Sequence, residues 1–377
     1  MTLVEFVPPK PHPLWKLCLQ MGITDVIIKV NPTLTGLPDP WRHETLARIV
    51  GGLKIAGLKV VGLEGDPFDM SPIKEYGERG TGNGEREEAL AHYRELLESM
   101  GRLGIRLLCY NFMAGQGWSR TGVREGRGGA KATYFSIEEC LGRKEHEDHK
   151  GLVPSASFAA KNNPVQGRLL ISHEQVWANY EHFIKSVMPT AERCGVRMAL
   201  HPDDPCLPSL GGYARIFGSV EAYDRAYALH PSPSNAVTFC QANFKLMLGH
   251  QGSGVRDQGS GIGEQLSTFN SQLSTLENVA RHFRDRIAFI HVRDVEGTVE
   301  DFTELFHDQG TTDQFSLMRT YRELGLDVPV RGDHVPEMEG DRLLAADCIP
   351  GYFTLGRLFA NGYLKALLEG TEEKPGN

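Results

Sequence analysis

Two hydrophobic rhythms alternate along this chain. Short, continuous apolar runs of the kind that form buried strands are followed by longer stretches in which apolar residues return with helical spacing. Residues 24–30 read as a first strand, 43–57 as an amphipathic helix and 59–64 as a second strand. The pattern repeats with a helical stretch at 85–101 and an apolar run at 105–111, and Gly57 and Gly104 stand where helices stop. Further helices are expected over 172–194, 219–229, 273–285, 312–324 and 352–369, with strands ending at His201, Cys240, His291 and Asp333 between them. Such alternation argues for a parallel sheet with helices packed outside it. Seven strands are visible, and the eighth is assigned to 302–305. The expectation is an α/β protein, a single (β/α)₈ barrel over residues 1–377, in preference to an open doubly wound sheet.

One stretch breaks the rhythm. Residues 112–166 are long, polar and rich in Gly and charge, and loops of that length are uncommon unless functional or disordered. They read as an insertion after the third strand, lying over the active-site face. His146, Asp148 and His149 within it read as a solvated charge run rather than a metal site. The glycines of 249–263 match neither phosphate-cradling pattern.

The polar residues that close the apolar runs change the picture most. His201, Cys240, His291 and Asp333 are 39, 51 and 42 residues apart, about one βα unit per interval. In a (β/α)₈ barrel the C-terminal strand ends converge on one face, where active sites are built. A Cys/His/His/Asp set admits Zn, Mn, Fe or Co and argues against an all-oxygen Mg site. Around these four, Asp203 and Asp204 follow His201 in a Pro-stiffened turn, and either could orient a ligand or act as a base. Arg293 could grip a substrate carboxylate or form a structural Arg–Asp pair, Arg331 places a fixed cation at the last strand end beside the substrate, and His334 is a candidate acid or base near neutral pH. Glu304 and His307 have i, i+3 spacing and could share a helical face, as a pair supporting the ligands, a substrate contact or a surface pair, while Asn111, Trp118 and Arg120 follow the third strand and are expected to line the pocket.

Composition narrows the class. The chain has 377 residues, 40% hydrophobic and 23% charged, and no apolar run approaches the ~18 residues needed to span a bilayer. A net charge of −8 offers no general attraction for nucleic acid or anionic membranes. Seven scattered cysteines do not form a disulfide framework. The opening residues carry neither a basic nor an apolar signal region, so the cytoplasm is the expected location.

The segments Cys109-Tyr-Asn-Phe-Met113, Trp118-Ser-Arg-Thr121, Met198-Ala-Leu-His-Pro-Asp-Asp-Pro205, Thr238-Phe-Cys240, His291-Val-Arg293, Arg331-Gly-Asp-His334 and Gly351-Tyr352 occur in an order that resembles the mannonate dehydratase family. That family consists of metal-dependent lyases on a xylose-isomerase-like TIM barrel. The resemblance implies that His201, Cys240, His291 and Asp333 bind a divalent metal, usually manganese, and that His334 and Tyr352 are acid–base candidates. It implies dehydration of D-mannonate to 2-keto-3-deoxy-D-gluconate, with a small sugar acid as the partner and a homo-oligomeric assembly. The chain departs from the family pattern at Ala114-Gly-Gln-Gly117, Phe302-Thr-Glu304 and Val335-Pro336, on the substrate side more than the metal side. An isomerase, epimerase or other lyase on a different substrate, a hydrolase, or a sugar-acid sensor without turnover are the alternatives.

Overall fold

The computed structural model describes residues 1–77, 82–115, 117–142, 170–251, 273–344 and 349–372. The charge run at His146, Asp148 and His149 and most of the 249–263 glycine-rich stretch lie outside the described residues.

Eight parallel strands close into a barrel. The first, β1, runs as Thr2–Leu3 and Glu5–Val7 with a break at Val4, and is followed by β2 (Asp25–Ile28), β3 (Lys59–Glu64) and β4 (Leu107–Tyr110). Then come β5 (Arg197–Leu200), β6 (Asn235–Cys240), β7 (Ile287–Val292) and β8 (Pro329–Gly332). Each strand pairs in parallel with its neighbours in chain order. The seam closes because Thr2–Leu3 pairs with β8 while Glu5–Val7 pairs with β2.

The eighth barrel strand is therefore the N-terminal one, not 302–305, which corrects the sequence expectation. Asp301–Glu304 instead joins a four-stranded antiparallel sheet with Val295–Gly297, Lys131–Ser136 and Gly122–Glu125. Its residues alternate between exposed and covered, which suits a sheet with one wet face and not a parallel strand buried on both sides. A strand before the first one expected also means that the insertion follows the fourth strand rather than the third. The first strand escaped notice because it is short, interrupted and contains Glu5. That carboxylate is buried, accepting from the Phe6 amide at 2.8 Å with the Arg357 guanidinium 3.5 Å away.

Helix ends follow local chemistry. Ser172 and Ser219 cap the helices His173–Cys194 and Val220–Leu229 through hydroxyls that accept from Gln175 and Ala222 amides. Thr275 caps Leu276–His282, which is shorter than the 273–285 expected, and Gln241–Gln251 is a further helix outside the expected set. No described helix is long and apolar enough to cross a membrane.

Two apolar layers hold the barrel. The larger lies between strands and helices, and a smaller inner cluster contains Val4, Ile27, Leu107, Cys109, Ala199, Ala236, Ala288 and Phe289. Gly62 is required there: a Cβ at that position would stand 2.8 Å from Ile27 Cδ1 and 3.0 Å from Leu107 Cβ. This inner plug forms the floor on which the strand-end residues stand.

Candidate metal centre

Strand register brings the four ligand candidates together. His201 follows β5 and its amide donates to Tyr110 O at 2.7 Å, while Cys240 and His291 are register partners on β6 and β7. Asp333 follows β8, its amide donating to Val292 O at 2.9 Å. One donor atom from each of His201, Cys240, His291 and Asp333 lies within 4.8 Å of all the others.

The chemistry of this set fits a divalent cation. Both ring nitrogens of buried His291 lack a hydrogen-bond partner among the described residues, although Glu64 Oε2 and Asp333 Oδ2 each stand 3.6 Å away. Buried polar atoms are rarely left so, because desolvation without a partner is costly. His201 Nδ1 is 2.8 Å from Pro202 O, which fixes the proton there and leaves Nε2 with its lone pair. Burial pushes the Cys240 thiol up, but the neighbouring His201 and His291 imidazoles and the Arg293 guanidinium outweigh it and bring the group down to about 6, in the thiolate range at neutral pH. Burial likewise opposes ionisation of Asp333, yet His334, Arg331 and His291 hold its carboxyl well below the usual range. Two imidazoles, a thiolate and a carboxylate suit Mn, Fe, Co or Zn.

Beside these residues lies a buried network of charges. Arg120 binds Asp204 in two parallel bonds of 2.8 Å and reaches Glu304 Oε1 at 2.7 Å. Arg293 binds the same two acids, Nη1 to Asp204 Oδ2 at 2.9 Å and Nε to Glu304 Oε2 at 2.8 Å, and also donates to Asn243 Oδ1 at 2.7 Å. Burial opposes the charge on Glu304, but Arg293, Arg120 and His334 outweigh it and hold the carboxyl at about 2. Asp204 is held well below the carboxylate range in the same way, by Arg120 and Arg293.

The network corrects several expected roles. Arg120 and Arg293 are fully buried and spend their nitrogens on protein acceptors, so neither is placed to grip a substrate carboxylate. Glu304 is enclosed with them. Arg331 is tied to Glu64 at 2.6 Å and to Asp333 at 3.0 Å. His307 is buried with Nε2 2.8 Å from Val292 O, supporting β7 rather than facing the cavity. Asp203 is also buried: it accepts from the Phe217 amide at 2.8 Å, and Arg215 stands 3.9 Å away. Its neighbour Asp204 lines the cavity instead.

A cavity of about 630 Å³, within the range of small-molecule sites, reaches the candidate centre at His201 and Asp333. His201, Asp333, His334, Tyr352, Trp118 and Asn111 line it. His334 adopts a left-handed backbone, φ +44°, rare for a residue with a side chain, and its ring sits 5.1 Å from Trp118 and 5.2 Å from Tyr352. His334 Nδ1 is 3.0 Å from both Glu304 Oε1 and Arg120 Nη2. The Tyr352 hydroxyl donates to Asp333 Oδ1 at 3.3 Å, and Asn111 Oδ1 accepts from Lys74 Nζ at 3.0 Å. Glu64 and Lys29 also line the cavity, outside the set expected there; Glu64 closes an apolar run, the same signal that marked His201 and Cys240, whereas Lys29 lies inside the 24–30 run with Val30 after it.

Comparison with known proteins places this geometry in a family. The family model described as D-mannonate dehydratase (UxuA) matches residues 18–252 and 266–375. A mannonate dehydratase of Brachyspira hyodysenteriae is 26% identical over 93% of this chain and 92% of its own length, and one of Streptococcus pneumoniae is 28% identical over 94% and 89%. The crystal structure of mannonate dehydratase from Streptococcus suis serotype 2 superposes with a TM-score of 0.75 at 23% identity, covering 98% of this chain and 93% of that one. The IolI protein with a bound zinc atom shares the barrel at a TM-score of 0.55 and 12% identity, covering 99% and 100%. With the family match spanning nearly the whole barrel, the chain belongs to the D-mannonate dehydratase (UxuA) family.

Proposed function

We propose that the barrel mouth removes water from D-mannonate to give 2-keto-3-deoxy-D-gluconate, with His201, Cys240, His291 and Asp333 holding a divalent cation. The observation that carries this reading is the convergence of those four donors, of which His201 and Asp333 line a cavity, in a chain of this family. Manganese is the ion the family resemblance favours, and the donor set also admits Fe²⁺, Co²⁺ or Zn²⁺. When bound, the cation supplies Lewis acidity that stabilises negative charge developing on substrate oxygens.

The protein's own groups move the protons. His334 contacts Glu304 through Nδ1, which directs Nε2 to the substrate; a proton on Nδ1 donated to Glu304 makes Nε2 a base for the C2 proton. Tyr352 carries a phenol proton beside the same space, suited to the departing C3 hydroxyl. The C2–H electron pair forms the C2–C3 double bond as the C3–O bond breaks; the C2 proton goes to His334, the Tyr352 proton joins the departing hydroxyl as water, and return of the His334 proton to the Tyr352 phenolate restores both groups while the enol tautomerises to the ketone. Trp118 packs on His334 and shields this proton transfer from bulk water.

The test is an aldonate panel assayed for released 2-keto acid after Mn²⁺ is restored. D-mannonate is expected to react and the His201→Ala protein to lose both bound metal and activity. Full activity and metal content in His201→Ala, or interconversion of sugars without loss of water, would overturn the reading.

A further inference from the structure

An anionic substrate needs a cation to meet it, and most cations near this cavity are already spent. Arg120 and Arg293 are enclosed by Asp204 and Glu304, and Arg331 is held by Glu64 and Asp333. Arg357 reaches the cavity wall but donates to Phe6 O at 2.6 Å and Tyr352 O at 2.7 Å. The same wall carries three carboxylates, Glu64, Asp204 and Asp333, which would repel a sugar acid.

Lys29 is different. It follows β2, lines the same cavity as His201 and Asp333, and has no hydrogen bond or ion pair with another described residue. Its stem lies across Gly65, which has φ +85°; a Cβ there would stand 3.1 Å from Lys29 Cε and 3.3 Å from Nζ. Glycine at the end of β3 thus leaves room for the ammonium to reach over the strand end. The half-buried setting leaves Lys29 partly desolvated, where an ion pair is worth more than at an open surface.

We propose that Lys29 receives the carboxylate of the substrate and is the residue that selects a sugar acid over an uncharged sugar. This rests on the dehydratase reading and adds to it a binding group that no strand-end ligand supplies. A lysine suits the task because its three rotatable donors can follow the carboxylate, whereas the planar arginines of this site are locked in place.

The experiment compares manganese-loaded wild type, Lys29→Met and Lys29→Arg with D-mannonate as substrate and with D-mannitol, which lacks the carboxylate, as competitor. Lys29→Met is expected to raise KM for D-mannonate by about tenfold or more, as loss of a charged hydrogen bond does, while kcat falls less. Inhibition by D-mannitol should stay within about twofold, Lys29→Arg should recover much of the lost affinity, and metal content should be unchanged. Unaltered KM in Lys29→Met, equal losses for D-mannonate and D-mannitol, or loss of the metal would reject the role of Lys29 while leaving the dehydratase reading intact. If wild type gives no keto acid, calorimetric binding of D-mannonate still reads Lys29: weaker binding in Lys29→Met supports it, and equal or absent binding in both proteins rejects it.

Discussion

Glu304 shows how much a single side chain can carry at this site. It accepts from two buried guanidiniums and touches His334, so replacing it leaves Arg120 and Arg293 facing Asp204 alone. Glu304→Gln is expected to destabilise the fold by about 3–5 kcal/mol at pH 7, the cost of breaking a buried ion pair, measured by urea unfolding. With its folded carboxyl at about 2 against ~4.3 when unfolded, the wild-type advantage should be full above pH ~4.3 and shrink as the pH falls toward 2. A constant difference across that window would show that the charge is not what stabilises. At this scale the sequence was legible where a residue's position alone decides its neighbours: His201, Cys240, His291 and Asp333 each end an apolar run, and parallel register does the rest. Pairings were not legible. Nothing in the chain tells that Arg120 will meet Glu304, 184 residues away, rather than a substrate, or that Asp204 and not Asp203 will turn toward the cavity.

Strands and helices were read from their periodicity, and the differences have identifiable causes. Long helices such as Asn83–Arg102 and His173–Cys194 kept their apolar stripes and were visible, whereas the two halves of β1 are too short to show a period. The antiparallel strand Asp301–Glu304 looked like a barrel strand because a short apolar element does not announce which sheet it joins. Its placement matters, for it brings Glu304 down onto Arg293 and joins Lys131–Ser136, whose other partner strand begins just after Arg120. Beneath the metal candidates, Phe289 on β7 contributes to the inner plug and stacks edge-on to His291, with ring centres 4.5 Å apart. Phe289→Ala should cost about 3–5 kcal/mol in urea unfolding, with a cavity left where the ring was. It should also weaken metal retention by loosening His291; a fully stable, fully metallated variant would contradict the view that the plug supports the site.

For the molecule as a whole, the four ligand candidates come from four different strands, so an ion held there ties together β5, β6, β7 and β8. Ligand that binds only the folded state stabilises it by mass action, about 2.7 kcal/mol at a free concentration 100-fold above Kd. Stripping the protein with a chelator is expected to lower Tm, and restoring Mn²⁺ to raise it in a concentration-dependent way; a Tm indifferent to both would speak against a cation at this position. The barrel class itself was legible from the alternation of runs, because each βα unit repeats the same demand for one buried strand and one amphipathic cover. The seam was not, since it joins residues from opposite ends of the sheet order: Thr2 sits opposite Pro329. That join has a consequence for how the protein is made. Asp333 and His334 arrive with the last barrel strand, which pairs with β7 on one side and closes the barrel against β1 on the other, so a nascent chain that has already exposed both imidazoles and the thiolate still has no finished mouth. Half-synthesised barrels would hold a partial donor set, open on one side, and acquire a closed pocket only when the two edges meet.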